Sequence, residues 1–246
     1  MDRVSGTTPP GAQTEQAAAQ WVRTMFARVA PRYDLINHLL SFNIDRWWRW
    51  QTTRGLAAIL ARPDAVTVDL CCGTADLTLA LARRAAHRVY GSDFCHPMLI
   101  AARQKIARSG VVSEVFESDA LSLPFRDGSL DLVTAAFGFR NLANYERGIS
   151  EMLRVLKPGG TAAILEFSTP PNRIFRAAYS VYSTRVLPMI GGLISGSRDA
   201  YTYLPESVRK FPGADELAGQ MRTAGFRTVR FRRMTGGIAA LHLGLK

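Results

Sequence analysis

The chain has 246 residues, 47% of them hydrophobic, a formal net charge of +11 and three cysteines. That length supports one substantial α/β core rather than two full domains, and no apolar run reaches the roughly 18–20 residues of a membrane-crossing helix. The polar start (Met1 to Thr14) carries no signal-peptide pattern, and an odd cysteine count with two adjacent fits neither a disulfide framework nor a zinc site, so a cytoplasmic location is expected.

Residues 1–15 are expected to form a disordered tail, and 16–246 a single domain. From residue 16 to about 60 the pattern is helical, interrupted at Pro31 and around Ser41 to Asn43. This stretch holds all four tryptophans (Trp21, Trp47, Trp48 and Trp50) and reads as a helical N-terminal cap, packed on the core or closing over an apolar substrate. Strands then alternate with helices, the pattern of a mostly parallel sheet. Strands are expected near 66–71, 88–93, 113–118, 131–136 and 161–167, and helices near 75–86, 97–109 and 145–156. The last helix repeats Ile149, Met152, Leu153 and Leu156 on one face, and Lys157 to Gly160 stops it. Residues 172–210 exceed an ordinary loop and read as an inserted helical segment on the substrate side. Thr228 to Lys246 alternates like two final strands joined through Gly236 and Gly237.

The stretch VDLCCGTAD (residues 68–76) passes from an apolar strand through a small-residue turn into a helical pattern. Small residues let backbone approach a ligand, as at the cofactor edge of α/β sheets. The turn has one glycine, Gly73, so it is neither the G-x-G-x-x-G of a dinucleotide fold nor a phosphate loop. A sulfonium nucleoside with an amino-acid tail, S-adenosylmethionine, fits better than a pyrophosphate. Asp93 ends the next strand, where a carboxylate can accept from both ribose hydroxyls; Asp119 and Ala120 follow the third strand, where a carboxylate and an N–H can meet adenine. Arg140 and Asn141 follow the fourth strand and would project over a methyl donor. No Ser/His/Asp set or metal-ligand spacing is present, and His38 and His242 read as packing or surface residues.

Several segments together resemble the UbiE/MenG class of quinone C-methyltransferases. They are FARVAPRYDLINHLLSF (26–42), DALSLPF (119–125), FGFRN (137–141), RVLKPGG (154–160) with LEFS (165–168), YTYLPES (201–207) and GGIAALH (236–242). The resemblance runs from about residue 20 to the end. It implies a Rossmann-like seven-stranded S-adenosylmethionine-dependent methyltransferase fold, mostly parallel with an antiparallel last strand. It also implies that Gly73, Thr74, Asp93, Asp119 and Ala120 bind the cofactor. Members of the class often carry Ser at the position of Ala136 and Gly at that of Ala75. The CCGTAD form (71–76) looks like the menaquinone branch, which implies methylation of demethylmenaquinol to menaquinol, the last step of menaquinone biosynthesis. The alternatives are a polyprenyl benzoquinol or another lipid-like acceptor on the same fold, and a nucleic-acid-binding protein that has lost the chemistry.

A hydroquinone carbon becomes nucleophilic when a ring hydroxyl loses its proton. Arg140 is expected to stabilise that oxyanion or hold a water, Asn141 to orient the ring or cofactor, and Tyr203, with Tyr33, to hydrogen-bond the quinol. A polyprenyl quinol lies in the bilayer, so the basic charge implies peripheral contact with an anionic membrane surface, at its inner face. No nucleic-acid partner is expected, because no basic stripe interleaves with aromatics on a sheet face.

Overall fold

The computed structural model describes residues 5–9, 11–34, 38, 41–186 and 198–246. Seven strands form one sheet in the order β3-β2-β1-β4-β5-β7-β6. They are β1 (Thr67–Leu70), β2 (Val89–Asp93), β3 (Ser113–Glu117), β4 (Leu130–Ala136), β5 (Leu156–Phe167), β6 (Thr228–Met234) and β7 (Ala239–Leu245). The first five run parallel, and β7 is antiparallel to both β5 and β6. The expected sheet is therefore present, with its reversed last strand. The chain order changes direction between β1 and β4, and that is where ligands enter such sheets.

The central strands are mostly apolar because helices cover both faces, with Asp69, Thr134 and Glu166 as buried polar exceptions. Successive side chains pass to opposite cores: Val133 and Ile164 pack with Ile149, Met152 and Leu217, whereas Leu132 and Leu165 pack with Trp48, Leu77 and Leu241. β5 starts at Leu156, five residues before the expected start. Its register on β4 jumps from Leu130↔Leu156 to Leu132↔Thr161, so Lys157 to Gly160 bulge out of a strand already begun.

The helices are α1 (Glu15–Val29), α2 (Ile44–Gly55), α3 (Ala57–Leu60), α4 (Asp76–Ala82), α5 (His96–Ser109), α6 (Tyr145–Val155), α7 (Arg173–Val181), α8 (Arg198–Lys210) and α9 (Ala214–Ala224). The Thr14 hydroxyl caps α1 by accepting from the Ala17 N–H, and Ala18, Val22, Met25 and Val29 form its buried stripe. Pro31 opens a short 3-10 turn (Ala30–Arg32) at its end. A turn with Phe42 and Asn43 at φ 52 and 59 leads into α2. These helices are the cap. α5 carries Pro97 in its first turn and stops at Gly110, at φ 69. α9 was not expected; Ala214, Leu217, Ala218 and Met221 bury one face of it, and Gly225 ends it at φ 114.

The insert forms α7, capped by the Asn172 side chain, a π-turn (Tyr182–Val186) and α8; its middle, 187–197, lies outside the described residues. The expected disordered tail is, in its described part, seated on the body. Thr7 is buried, and its N–H donates to the Leu142 carbonyl at 2.8 Å. A Cβ on Gly6 would lie 2.2 Å from that carbonyl oxygen, so only glycine allows this approach. Among the described residues no helix is long and apolar enough to cross a membrane.

Candidate active site

Both strands that flank the crevice end in strained backbone. β1 runs into Cys71 at φ 50, and β4 runs into Phe137 at φ 57. Left-handed conformations in side-chain-bearing residues are costly and cluster at functional sites. In the β1 turn Gly73 (φ 54) and Ala75 (φ 71) are left-handed as well. Ala75 thus occupies a conformation that glycine adopts freely, at the position where the resembling class often carries glycine. The two strand ends press together: a Cβ on Gly138 would stand 2.4 Å from the Cys71 Cβ.

Asp93 at the end of β2 is held by two backbone donors, the Gly73 N–H and the Cys95 N–H, each at 2.8 Å. Burial pushes its carboxyl up to about 6, against the pull of those N–H groups. It opens on a cleft that also includes Gly73, Phe94, Met98, Asp119, Ala120 and Leu121. Asp119 is fixed by the Leu121 N–H at 2.9 Å. Among the described residues, the cleft lining contains two carboxylates and no lysine or arginine. Such a set of acceptors repels phosphate and suits a phosphate-free, cationic nucleoside: carboxylates accept from ribose and adenine donors, and Phe94, Met98 and Leu121 offer an apolar slot. S-adenosylmethionine fits these residues. Burial, with Asp93 and Asp69 nearby, pushes the Cys71 and Cys72 thiols well up, so both stay protonated and act as small packing groups.

Beside the cleft lies a second cavity of about 300 Å³. Tyr33 and Phe137 belong to the walls of both. Its lining is aromatic (Phe42, Trp48, Phe137, Phe167, Tyr179 and Tyr182 among others) with Arg140 and Arg49 as cations. Phe137 and Phe167 pack at 4.8 Å between centroids, and Trp48 touches both. Arg140 stacks on Phe167 at 5.2 Å and Arg49 on Phe137 at 5.4 Å. Arg140 is buried and ion-paired to Glu166 at 2.9 Å, and it also donates to the Phe137 carbonyl. Burial works against its charge, but the Glu166 carboxylate outweighs that and raises its pKa further. The guanidinium therefore stays a cation, and its Nε has no partner among the described residues.

The cap is tied to this site by charge. Asp45 accepts from Ser41 at 2.6 Å, from Arg49 and, at 2.9 Å, pairs with His38. Asp76 pairs with Arg49 at 3.4 Å and with Lys105, which reaches Asp34 at 2.6 Å. The ligand atoms of His38, Asp45 and Asp76 lie within 4.8 Å of one another, spacing that could hold a metal ion. Arg49 and Lys105 already balance these carboxylates, so the cluster works as an ion network joining cap and turn.

Gly73, Asp93, Asp119 and Ala120 converge on the cleft, and Asn141 lies on its wall. Arg140 lines the aromatic cavity. The Thr74 hydroxyl donates to Asp34, and Thr74 lines a small pocket that adjoins the cleft and shares Tyr33, Cys71 and Gly73 with it. Tyr203 lines neither cavity; its hydroxyl donates to the Asn141 Oδ1 at 3.1 Å and pairs with Thr7 at 2.7 Å, which makes it a support for Asn141. Glu166 received no role from the sequence, although an acid inside an otherwise apolar strand was the signal for it. Asp69 is a similar case. It is buried, accepts from Thr78 and Thr134 at 2.7 Å each, and is pushed up to about 6 by burial.

This sheet order, with a nucleoside cleft at the strand reversal, defines the Rossmann-like class of S-adenosylmethionine-dependent methyltransferases. A SAM-dependent methyltransferase from Thermotoga maritima shares the fold, with a TM-score of 0.63 over 91% of this chain and 99% of that one at 19% identity. The model of the ubiE/COQ5 methyltransferase family matches residues 13–246, so the chain belongs to that family. It is 49% identical to the demethylmenaquinone methyltransferase of Thermus thermophilus, over 89% of this chain and 99% of the relative. It is 46% identical to the protein of that name in Deinococcus radiodurans, over 96% and 97%.

Proposed function

We propose that this methyltransferase methylates a ring carbon of demethylmenaquinol, using S-adenosylmethionine, in the last step of menaquinone biosynthesis. The observation that carries the reading is the aromatic cavity joined to the nucleoside cleft through Tyr33 and Phe137, with a permanent cation, Arg140, in its wall. A flat bicyclic ring with hydroxyl groups suits that chemistry, and the names of the relatives in Thermus and Deinococcus favour a naphthoquinol.

Gly73, Asp93, Asp119 and Ala120 would hold the cofactor, which supplies an electrophilic methyl group. The protein has to align the ring, favour its ionised form and keep water out. Phe137, Phe167 and Trp48 form an apolar surface for the ring. Arg140 stabilises the oxyanion ortho to the reacting carbon; it cannot take the proton, because Glu166 holds it in the charged form. Asn141, supported by Tyr203, orients ring or cofactor between the two spaces. A long isoprenoid tail places the substrate in a bilayer, so the protein works at the inner membrane surface as a peripheral visitor. Phe42 at the cavity rim is 72% exposed, and Ile174 and Val181 on α7 are exposed as well, as such contact requires.

Incubation with labelled cofactor and a panel of reduced naphthoquinols and benzoquinols tests this. Label is expected in naphthoquinols. Label confined to benzoquinols, or absent from all quinols, overturns the substrate assignment.

A further inference from the structure

We propose that the groove between α2, α4 and α5 is a docking site for the phosphodiester headgroups of an anionic bilayer. The inference rests on the reading above, that the acceptor is drawn from a membrane.

The groove is open and large, about 1040 Å³. Arg46 of α2, Arg83 and Arg84 beyond the end of α4, and Arg108 of α5 stand around it. All four are exposed, and their side chains have no salt-bridge or hydrogen-bond partner among the described residues. Other exposed arginines either meet acids, as Arg88 does with Glu114 and Arg62 with Asp64, or stand apart along the chain, as Arg103, Arg126, Arg209 and Arg227 do; the groove is where four gather on one space. The groove has two acids of its own, Asp34 and Asp76, and Lys105 and Arg49 already pair with them. Four guanidinium groups therefore face one space without counter-charge. A guanidinium fork matches phosphate oxygens in pairs, and repulsion between the four is relieved only by anions.

The border of the groove points to a lipid surface. Trp50 lines it at 40% exposure, with Arg54 stacked on its ring at 4.8 Å. Trp47, three residues earlier on the same helix, is 44% exposed. Tryptophan beside arginine suits the headgroup level, where an apolar ring and a charged tip are both satisfied. The helix also connects the groove to the chemistry. Arg46 and Trp50 line the groove, Trp48 lines the aromatic cavity, and Arg49 lines both. A bilayer held by the arginines would thus sit beside the entrance used by a lipid-borne quinol. A nucleic acid would satisfy the charges too, but it gives no purpose to the exposed apolar residues Phe42, just before α2, and Trp47, in its first turn.

The test is flotation of the full chain with vesicles of phosphatidylcholine alone or mixed with phosphatidylglycerol, at about 50 mM and about 500 mM salt, where screening lengths differ severalfold. The wild type is compared with R46Q/R83Q/R84Q/R108Q and with a control removing four exposed arginines outside the groove, R103Q/R126Q/R209Q/R227Q. Salt-sensitive binding to the anionic vesicles is expected in the wild type and control, and a loss on the order of 1000-fold in the groove variant at the lower salt. Turnover of a short-chain, water-soluble naphthoquinol is expected to be unchanged in the groove variant. Equal vesicle binding by all three proteins, equal loss in both variants, or tighter wild-type binding to duplex DNA than to anionic vesicles at the same salt overturns the proposal. Failure of the wild type to methylate any soluble quinol refutes the quinol reading instead, and vesicle binding still reports on the groove.

Discussion

Gly138 is the point where the two strand ends that build the site touch, so replacing it by alanine is expected to damage fold and function together. Its backbone, at φ -115 and ψ -27, is open to any residue, so conformational freedom is not the reason for glycine. Space is the reason. An alanine Cβ would meet the Cys71 Cβ at 2.4 Å and the Cys71 carbonyl oxygen at 3.1 Å. Carbon atoms rest about 3.5–4.0 Å apart, so the loop after β4 and the turn after β1 must separate by about 1 Å. Neither neighbour is the end of a flexible side chain, and overpacking of this kind costs about 1–3 kcal/mol. The same shift moves Arg140, two residues on, away from the cavity, and Cys71 away from the Asp93 side of the cleft. Urea unfolding and calorimetric titration with S-adenosylmethionine give the two readouts. Gly138→Ala is expected to lower the unfolding midpoint and weaken donor binding. Cys71→Gly removes the opposing Cβ and also relieves the left-handed strain at φ 50. The double variant G138A/C71G should therefore recover at least half of the lost stability, a coupling that unrelated sites do not show. Unchanged stability and affinity in Gly138→Ala, or no recovery in the double variant, would refute the close-contact argument.

The buried Arg140–Glu166 pair makes a separate set of expectations. Arg140→Ala should keep donor binding and lose turnover by on the order of 100-fold. It also strands a carboxylate that is 1% exposed, at about 3–5 kcal/mol of stability. R140A/E166Q should restore stability without turnover; recovered turnover would remove Arg140 from the chemistry. Glu166→Gln alone leaves the guanidinium uncompensated, which favours a quinol oxyanion, so the acid limb of the kcat profile should move to lower pH by about one unit. The Asp93 carboxyl is raised from 3.8 to about 6 by burial, so the charged form is disfavoured in the fold and stability due to this group rises as pH falls from above 6 towards 4. Donor affinity moves the opposite way, because ribose hydroxyls need the ionised acceptor: titrations should show weakening below pH 6 by up to tenfold per unit. Asp93→Asn should bind more weakly at neutral pH and lose that dependence, and a variant that keeps it would assign the titration elsewhere.

Where one short segment decides an element, the sequence was sufficient. The apolar run from Val66, the repeat of Ile149, Met152 and Leu153, and Pro97 with Gly110 place β1, α6 and α5 within a residue or two. The turn, Asp93 and Asp119 were also readable, since each follows a strand and parallel strands bring such ends to one edge. Long-range pairing was not readable. Nothing local to Thr74 announces that its hydroxyl is taken by Asp34, 40 residues away. Tyr203 carries the right hydroxyl, but Thr7 and Asn141 use it, and those partners are separated from it by 196 and 62 positions. Thr7 itself sits in a polar stretch whose composition spoke for disorder, and two specific contacts with Leu142 and Tyr203 seat it. β5 begins early because Leu156 and Thr161 both pair with β4 on either side of a bulge at Lys157 to Gly160, a segment that reads locally as a stop. α9 is a different case: Ala214, Leu217, Ala218 and Met221 follow the helical period, with Asp215 and Glu216 in the first turn, so its signal was present.

The left-handed residues explain why donor and acceptor spaces share a wall. Cys71 and Phe137 follow paired strands, at registers where Leu70 lies opposite Ala135. Extended backbone at both points would carry the chain past the sheet edge. A positive φ at each turns the two chains aside within one residue, one towards Asp93 and the other towards Glu166. Each such residue costs about 1–2 kcal/mol. At Phe137 the ring offsets this by packing between Trp48 and Phe167 and under Arg49. A glycine there would remove the strain and the shared wall with it. The strain at Phe137 is therefore tied to the position of a ring that faces the nucleoside cleft on one side and the aromatic cavity on the other. Methyl transfer needs the reacting carbon and the donor methyl in line across that boundary, and the backbone of two adjacent strand ends sets where the boundary lies.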